Sequence, residues 1–252
     1  GMKHTIPIST NFKILKHLSV SMNGNYEEVW TGSTIQRSNY DEETQSSGDK
    51  LEIKGFDRFN QYNFGMGIGT TIYGLFNFKE ESKIEAIRHV IRPSINYSIR
   101  PSFDEYYDTY IIDANGNTAE YTRFEENFFG LPSKRYSSSI GLQISNNLEA
   151  KVRSKDSLAS EPKKVTILNN LNFSTSYNLA ADSLKLSPVR MTGGTNLFNN
   201  KLNINLGATF DPYQINEFGT RINKLNINNG KLFRMTSANI NMSFSIDSKS
   251  LA

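Results

Sequence analysis

The sequence predicts an all-β protein, an antiparallel up-and-down transmembrane β-barrel segment of about nine strands. Three observations predict it. Apolar and polar residues alternate over long stretches, the period of strands with one dry face and one wet face. The wet face is mostly Asn, Ser and Gly, with charge gathered at strand ends. Small neutral hydrogen-bonders of that kind suit confined water in a lumen. Short turns alternate with mostly long polar loops, the rhythm of barrels whose long loops lie outside.

The elements follow in order. The first strands span roughly 4–12 and 17–36. In the second, Leu18, Val20, Met22 and Tyr26 interleave with Ser19, Ser21, Asn23 and Asn25. The third, about 58–77, sets Tyr62, Phe64, Met66, Ile68 and Ile72 against Gln61, Asn63, Gly65, Gly67 and Gly69. The fourth, about 87–103, sets Ile91, Pro93, Ile95, Tyr97 and Ile99 against Arg92, Ser94, Asn96, Ser98 and Arg100. Proline cannot donate to a ladder, so a bulge or a broken ladder is expected at Pro93.

The fifth, about 136–153, alternates from Ile140, Leu142 and Ile144 through Asn146, Leu148 and Ala150 to Val152. Asn146 is the one polar member of that dry set. The sixth, about 165–180, carries Leu171, Phe173, Thr175, Tyr177 and Leu179; the seventh covers about 188–198. The eighth, about 201–214, carries Leu202, Ile204, Leu206, Ala208 and Phe210. The ninth, about 231–247, carries Ala238, Ile240, Met242, Phe244 and Ile246. Long loops are expected at 37–57, 104–135 and 215–230, and the whole of 1–252 is expected to belong to one barrel domain.

The alternation sorts the residues by destination. Arg92, Asn96, Arg100, Gln143, Asn172, Asn203, Asn205, Asn239 and Asn241 are expected to face a lumen. Ile140, Leu142, Ile144, Phe173, Tyr177, Leu202, Ile204, Leu206, Ile240 and Phe244 are expected to face lipid. Arg190 also interleaves with apolar residues. These arginines are of a kind to meet phosphates or carboxylates on a passing molecule. Rings at strand ends suggest aromatic girdles: Tyr26, Trp30 and Tyr40; Tyr106, Tyr107 and Tyr110; and Phe76, Phe78 and Phe198.

Composition excludes several chemistries. The chain has 252 residues, no cysteine and a formal charge of +3. There is thus no disulfide framework, no thiolate metal site and no Cys nucleophile. So mild a charge does not mark a nucleic-acid binder. The three histidines, His4, His17 and His89, sit in no metal or catalytic frame, and no nucleophile elbow occurs. No catalytic residue, cofactor or metal is therefore expected. Asp113, Asn115, Asn117 and Glu120 suggest a calcium loop, but Thr118 stands where such a loop wants glycine. Asn115-Gly116 reads more simply as a tight turn.

Four stretches carry a resemblance. They are Gly69-Thr-Thr-Ile-Tyr-Gly-Leu-Phe-Asn-Phe78, the run from Ile87 to Phe103, Ala180-Ala-Asp-Ser-Leu-Lys-Leu-Ser-Pro188, and Asn205-Leu-Gly-Ala-Thr-Phe-Asp-Pro-Tyr213. Together they resemble the C-terminal barrel of the LptD family of lipopolysaccharide-assembly proteins, also called organic solvent tolerance proteins, in its Bacteroidetes branch. The resemblance implies a Gram-negative outer-membrane barrel with no enzymatic activity. It implies lipopolysaccharide as cargo, an LptE-like lipoprotein plug and a periplasmic transport bridge. The family pattern adds a jelly-roll domain and further strands. The chain is therefore expected to be an internal fragment of a longer protein. Two rival readings remain at this stage: another outer-membrane barrel, such as a porin or TonB-dependent receptor, and a soluble β-sandwich adhesin.

Overall fold

The computed structural model describes residues 1–79, 82–153, 163–198 and 201–245. The chain runs β1 (Met2–Ile14), β2 (Leu18–Arg37), β3 (Lys50–Gly69), β4 (Ile72–Asn77), β5 (Ile84–Arg100), β6 (Tyr107–Ile111), β7 (Thr118–Thr122), β8 (Ser137–Val152), β9 (Lys163–Asn178), β10 (Val189–Leu197), β11 (Leu202–Asp211), β12 (Tyr213–Ile215), β13 (Arg221–Leu225) and β14 (Arg234–Phe244). Two short 3-10 turns, Asp104–Tyr106 and Asn226–Asn229, complete it. No helix among the described residues is long and apolar enough to cross a membrane, which bears only on helices.

One sheet holds ten strands in the order β1-β2-β3-β5-β8-β9-β10-β11-β14, with β4 on β5. Counting β3 and β4 together, these are the nine expected strands, joined as an up-and-down meander. The described sheet is not closed: β1 and β14 are its two edges. Residues 246 and 247 of the ninth expected strand, Ile246 included, lie outside the described residues.

The third strand breaks at Thr70–Thr71. Ile72 pairs with Ile91, and the same register carried on puts Thr70 opposite Pro93. The Thr70 N–H reaches the Pro93 carbonyl at 3.2 Å, and proline has no N–H to return. The ladder is therefore interrupted where the proline was expected to interrupt it.

The loops are more ordered than the sequence suggests. Lys50 already opens β3, so the connection after β2 is shorter than 37–57. The 104–135 segment holds the β6–β7 hairpin, and 212–230 holds the β12–β13 hairpin. Each pair is so short that its alternation is lost among turn residues.

Two compact units emerge from the contacts. The first comprises Gly1–Asn11, Ser21–Met66 and Ser98–Ser138. Its core is Val29, Phe59, Phe103, Tyr106 and Phe124. The Phe59 and Phe124 rings lie 4.9 Å apart. Burying each ring of this size contributes about 1.5–3 kcal/mol, which works against the entropy lost in ordering a long loop. The second unit takes the described residues of Phe12–Val20, Gly67–Tyr97 and Ser139–Ala252. It consists of pleated ladders, and its strand register is what places the polar face.

Candidate functional surface

In the second unit the register keeps like with like. Ile144 faces Phe173, Phe173 faces Met191, Met191 faces Ala208, and Ala208 faces Ala238. Leu171, Gly193, Leu206 and Ile240 make the next apolar row. Further rows pair Ile140 with Tyr177, Ile204 with Met242, and Leu202 with both Leu197 and Phe244. Leu142, opposite Thr175, keeps the same phase. This face is open: Ile240 is 69% and Phe244 61% exposed.

The polar rows are equally regular. One runs Ser145, Asn172, Thr192, Gly207, Asn239; another runs Gln143, Ser174, Arg190, Thr209, Ser237. Asn205 faces Gly194 and Asn241, and Asn203 faces Asn196 and Ser243. Asn96 lies beside Gly141, in the same phase as Gln143. Arg92 follows Asn96 by the period of β5, as does Arg100 in the first unit. The residues expected to line a lumen thus share a polar phase. Cross-strand pairs of this kind contribute about 0.2–1 kcal/mol each, and a slip of one residue would forfeit them all.

Asparagines lie over glycines on this face. A side-chain carbon added at Gly207 would sit 2.6 Å from Asn239 Oδ1, and one at Gly194 3.0 Å from Asn205 Oδ1. Among the described residues no carboxylate lies within ion-pair distance of Arg92, Arg100 or Arg190. The polar face therefore presents neutral amides, hydroxyls and free guanidinium groups.

β8 is not one unbroken alternation. Its register shifts between Asn146, Leu148 and Glu149. There the Asn146 amide donates to the Leu171 carbonyl at 3.0 Å, and the Asn147 amide to the Asn169 carbonyl at 3.0 Å. Side-chain amides thus satisfy carbonyls at the irregularity. Asn146 Oδ1 also meets His89 Nε2 at 3.1 Å. The polar exception in the dry set and one histidine are explained together.

In the first unit, Val29 and Phe59 take the polar phase of β2 and β3, in step with Asn23, Asn25, Asn63 and Gly65. They are 0% and 1% exposed, because Phe103, Tyr106 and Phe124 cover them. The 101–135 segment thus folds back over the polar face of β2 and β3. Gln61 on that face accepts from the Ser133 N–H at 3.0 Å, and Asp57 takes Arg123 at 2.8 Å. Arg37 pairs with Glu125, while Lys50 reaches Glu125 at 3.0 Å and Glu126 at 2.8 Å. The Arg37 hydrogen bond, above all, holds the Glu125 carboxyl below its ordinary value.

This folding-back corrects the girdle for two rings. Tyr106 is buried in the core, its hydroxyl taking the Asn60 N–H at 3.1 Å, and the Tyr107 hydroxyl donates to the Pro132 carbonyl at 2.6 Å. An aromatic-rich loop burying its own rings removes them from any belt. Trp30 keeps an exposed position, its indole 4.6 Å from His4 and 5.7 Å from Phe56.

The suggested calcium loop is a turn. Asp113 Oδ1 accepts the N–H groups of Asn115 and Asn117, each at 3.0 Å, and Oδ2 accepts the Asn117 amide at 2.6 Å. Those bonds hold its carboxyl below its ordinary value. Glu120 pairs with Lys134. Gly116, at φ +79°, supplies the left-handed turn residue.

Asp211 escaped notice in the sequence. It is 3% exposed and takes Arg234 at 3.1 Å and Arg221 at 3.5 Å. Its Oδ1 accepts the Tyr213 N–H at 3.0 Å. The Asp-Pro-Tyr run at the end of β11 is the one sequence signal that points to it.

A family model described as LptD protein matches residues 1–213. No curated protein and no solved structure matches the chain. The match takes in all four resembling stretches, and the described antiparallel meander agrees with the all-β part of what they implied. The chain belongs to the LptD family.

Proposed function

We propose that this chain forms part of the wall of an outer-membrane β-barrel that delivers lipopolysaccharide to the outer leaflet. The LptD family is one of lipopolysaccharide transport and assembly rather than of enzymes, and its members are outer-membrane components of Gram-negative bacteria. The observation that carries the reading is the family match over residues 1–213. The row-by-row separation of faces supports it.

The physics is that of an amphiphile in transit. Ile140, Leu142, Ile144, Phe173, Tyr177, Leu202, Ile204, Leu206, Ile240 and Phe244 meet lipid chains, which removes an open apolar face from water. Gln143, Asn172, Asn203, Asn205, Asn239 and Asn241, with Asn96, line a wet lumen for a sugar head group. Arg92 and Arg100, free of carboxylate partners, meet its phosphates. The partners are lipopolysaccharide, an LptE-like lipoprotein and a periplasmic bridge that supplies the energy. No covalent step is required.

The test is depletion in the bacterium that makes the protein. Newly made lipopolysaccharide should then fail to reach the cell surface. Normal surface lipopolysaccharide with altered solute uptake would instead indicate a porin.

A further inference from the structure

A cleft of about 480 Å³ opens in the second unit beside the β9–β10 connection and the β12–β13 hairpin. Lys185 and Leu186 line it from the β9–β10 connection and Asn223, Lys224 and Leu225 from β13, with Tyr177, Tyr213 and Asn228 completing the lining. The segments are fixed to one another. The Leu184 N–H donates to Asn223 Oδ1 at 3.3 Å, and the Leu186 N–H donates to the Tyr213 hydroxyl at 2.9 Å. The Lys185 carbonyl is held by the Asn178 N–H at 2.7 Å.

The chemistry of the lining is one-sided. It contains two ammonium groups and no carboxylate. Among the described residues neither Lys185 nor Lys224 has an ion-pair partner. Tyr213 is 4% exposed, and its oxygen accepts from Leu186. Its own O–H proton has no acceptor among the described residues, so it is free to donate into the cleft. Two like charges around one cleft repel in the absence of an anion. Leu186 and Leu225 add an apolar shoulder beside the cations.

We propose that this cleft is a binding site for a phosphate monoester carried on an amphiphile, gripped by Lys185, Lys224 and the Tyr213 hydroxyl. Compact ammonium groups suit a phosphate as point charges, and the phenol adds a directed hydrogen bond. The leucine shoulder selects a headgroup at a lipid surface over a free ion. The site stands apart from the polar face, so it can fail without the transport reading failing.

The full chain, purified in detergent micelles, is titrated calorimetrically with dihexanoyl phosphatidic acid, dihexanoyl phosphatidylcholine and inorganic phosphate. Phosphatidic acid should bind about tenfold or more tighter than phosphatidylcholine. Lys185→Ala with Lys224→Ala should abolish that preference, and Lys185→Arg with Lys224→Arg should keep it. A second measurement needs no variant. A phosphate monoester loses its second charge near pH ~6, so wild-type binding should weaken several-fold from pH 7.5 to 5.5. Equal binding of inorganic phosphate and phosphatidic acid would overturn the lipid source. Equal affinity for both lipids, or binding indifferent to pH, would overturn the site.

Discussion

The backbone N–H of Leu186 donates to the hydroxyl of Tyr213 at 2.9 Å. The bond joins two stretches that are far apart in sequence and that both carry the family resemblance, 180–188 and 205–213. The other two resembling stretches also meet, through the ladder from Ile72–Ile91 to Phe76–Ile87. The resemblance thus falls on segments that hold each other in place. Tyr213→Phe removes the acceptor and leaves a half-buried N–H unpaired, at a cost of about 1–3 kcal/mol. Amide exchange at Leu186 should quicken, while exchange within the β10–β11 ladder should not. An unchanged Leu186 rate would show that the bond does not hold the segment.

Asp211 anchors the connection between β11 and β14. It gathers Arg234, Arg221 and the Tyr213 N–H around one buried carboxylate. Removing one partner of a buried pair costs several kcal/mol when both are dry. Both arginines here are partly exposed, so about 1–3 kcal/mol is the fitting scale for Asp211→Asn. The loss should be local. Limited trypsin digestion should cut faster at Arg221 and Lys224, with cleavage in β8 and β9 unchanged. Uniform acceleration across the chain would contradict a local role.

Much of the fold was legible because a strand's period of two survives in long elements. Amphipathic runs mark seven of the nine strands, and Pro93 names its own break. What the period hid was every place where one polar residue stands in for a ladder bond. Asn146 reads as a lapse in an apolar row, yet its amide serves the Leu171 carbonyl at a register shift. Phe59 and Val29, which stand in the polar phase of β3 and β2, seat a folded loop that the alternation gives no sign of. Tyr106 and Tyr107 looked like belt rings because ring count alone cannot tell a headgroup layer from a loop's private core. Asp211 carried no periodic signal, since its two arginines arrive from β13 and β14.

Asn146 offers a test in which hydrophobicity and hydrogen bonding disagree. Asn146→Leu would complete the apolar alternation, and burying its extra carbons is worth up to about 1.5–3 kcal/mol. It also strips the Leu171 carbonyl and His89 of their partner, and an unsatisfied buried group costs about 1–3 kcal/mol. Asn146→Ala incurs the loss without the gain. The alanine variant should therefore unfold first in a detergent-based thermal melt, with leucine between it and wild type. A leucine variant clearly more stable than wild type would mean that the amide is dispensable.

The folded loop should be sensitive to acid. Glu125 is bonded to Arg37 and Lys50, and its carboxyl is held below the ordinary glutamate value of 4.5. A depressed folded value gives stabilisation that is complete above the unfolded value and is lost as pH falls through the folded one. Loop opening, followed by amide exchange at Asn127 and Gly130, should thus rise below about pH 4.5 after correction for intrinsic rates. Glu125→Gln should open the loop at neutral pH and flatten the dependence. A wild-type profile flat down to pH 3 would exclude Glu125 as the latch.

Pro93→Ala separates ladder repair from chain entropy. Thr70 donates to the Pro93 carbonyl at 3.2 Å, which marks the two as a pair that would exchange both bonds if residue 93 had an N–H. Alanine supplies it, and the regained bond is worth about 0.5–1.5 kcal/mol. The same change frees the unfolded chain, at a cost of about 0.4–1 kcal/mol. The two nearly cancel, so the melting temperature should move little. Exchange must decide instead: the new amide at position 93 should be strongly protected, and the Thr70 amide, its partner in the matched pair of bonds, should gain protection as β3 and β4 merge into one strand. If that amide exchanged as freely as in a loop, the register from Ile72–Ile91 would not extend to Thr70, and the break would have a cause other than the missing proline N–H.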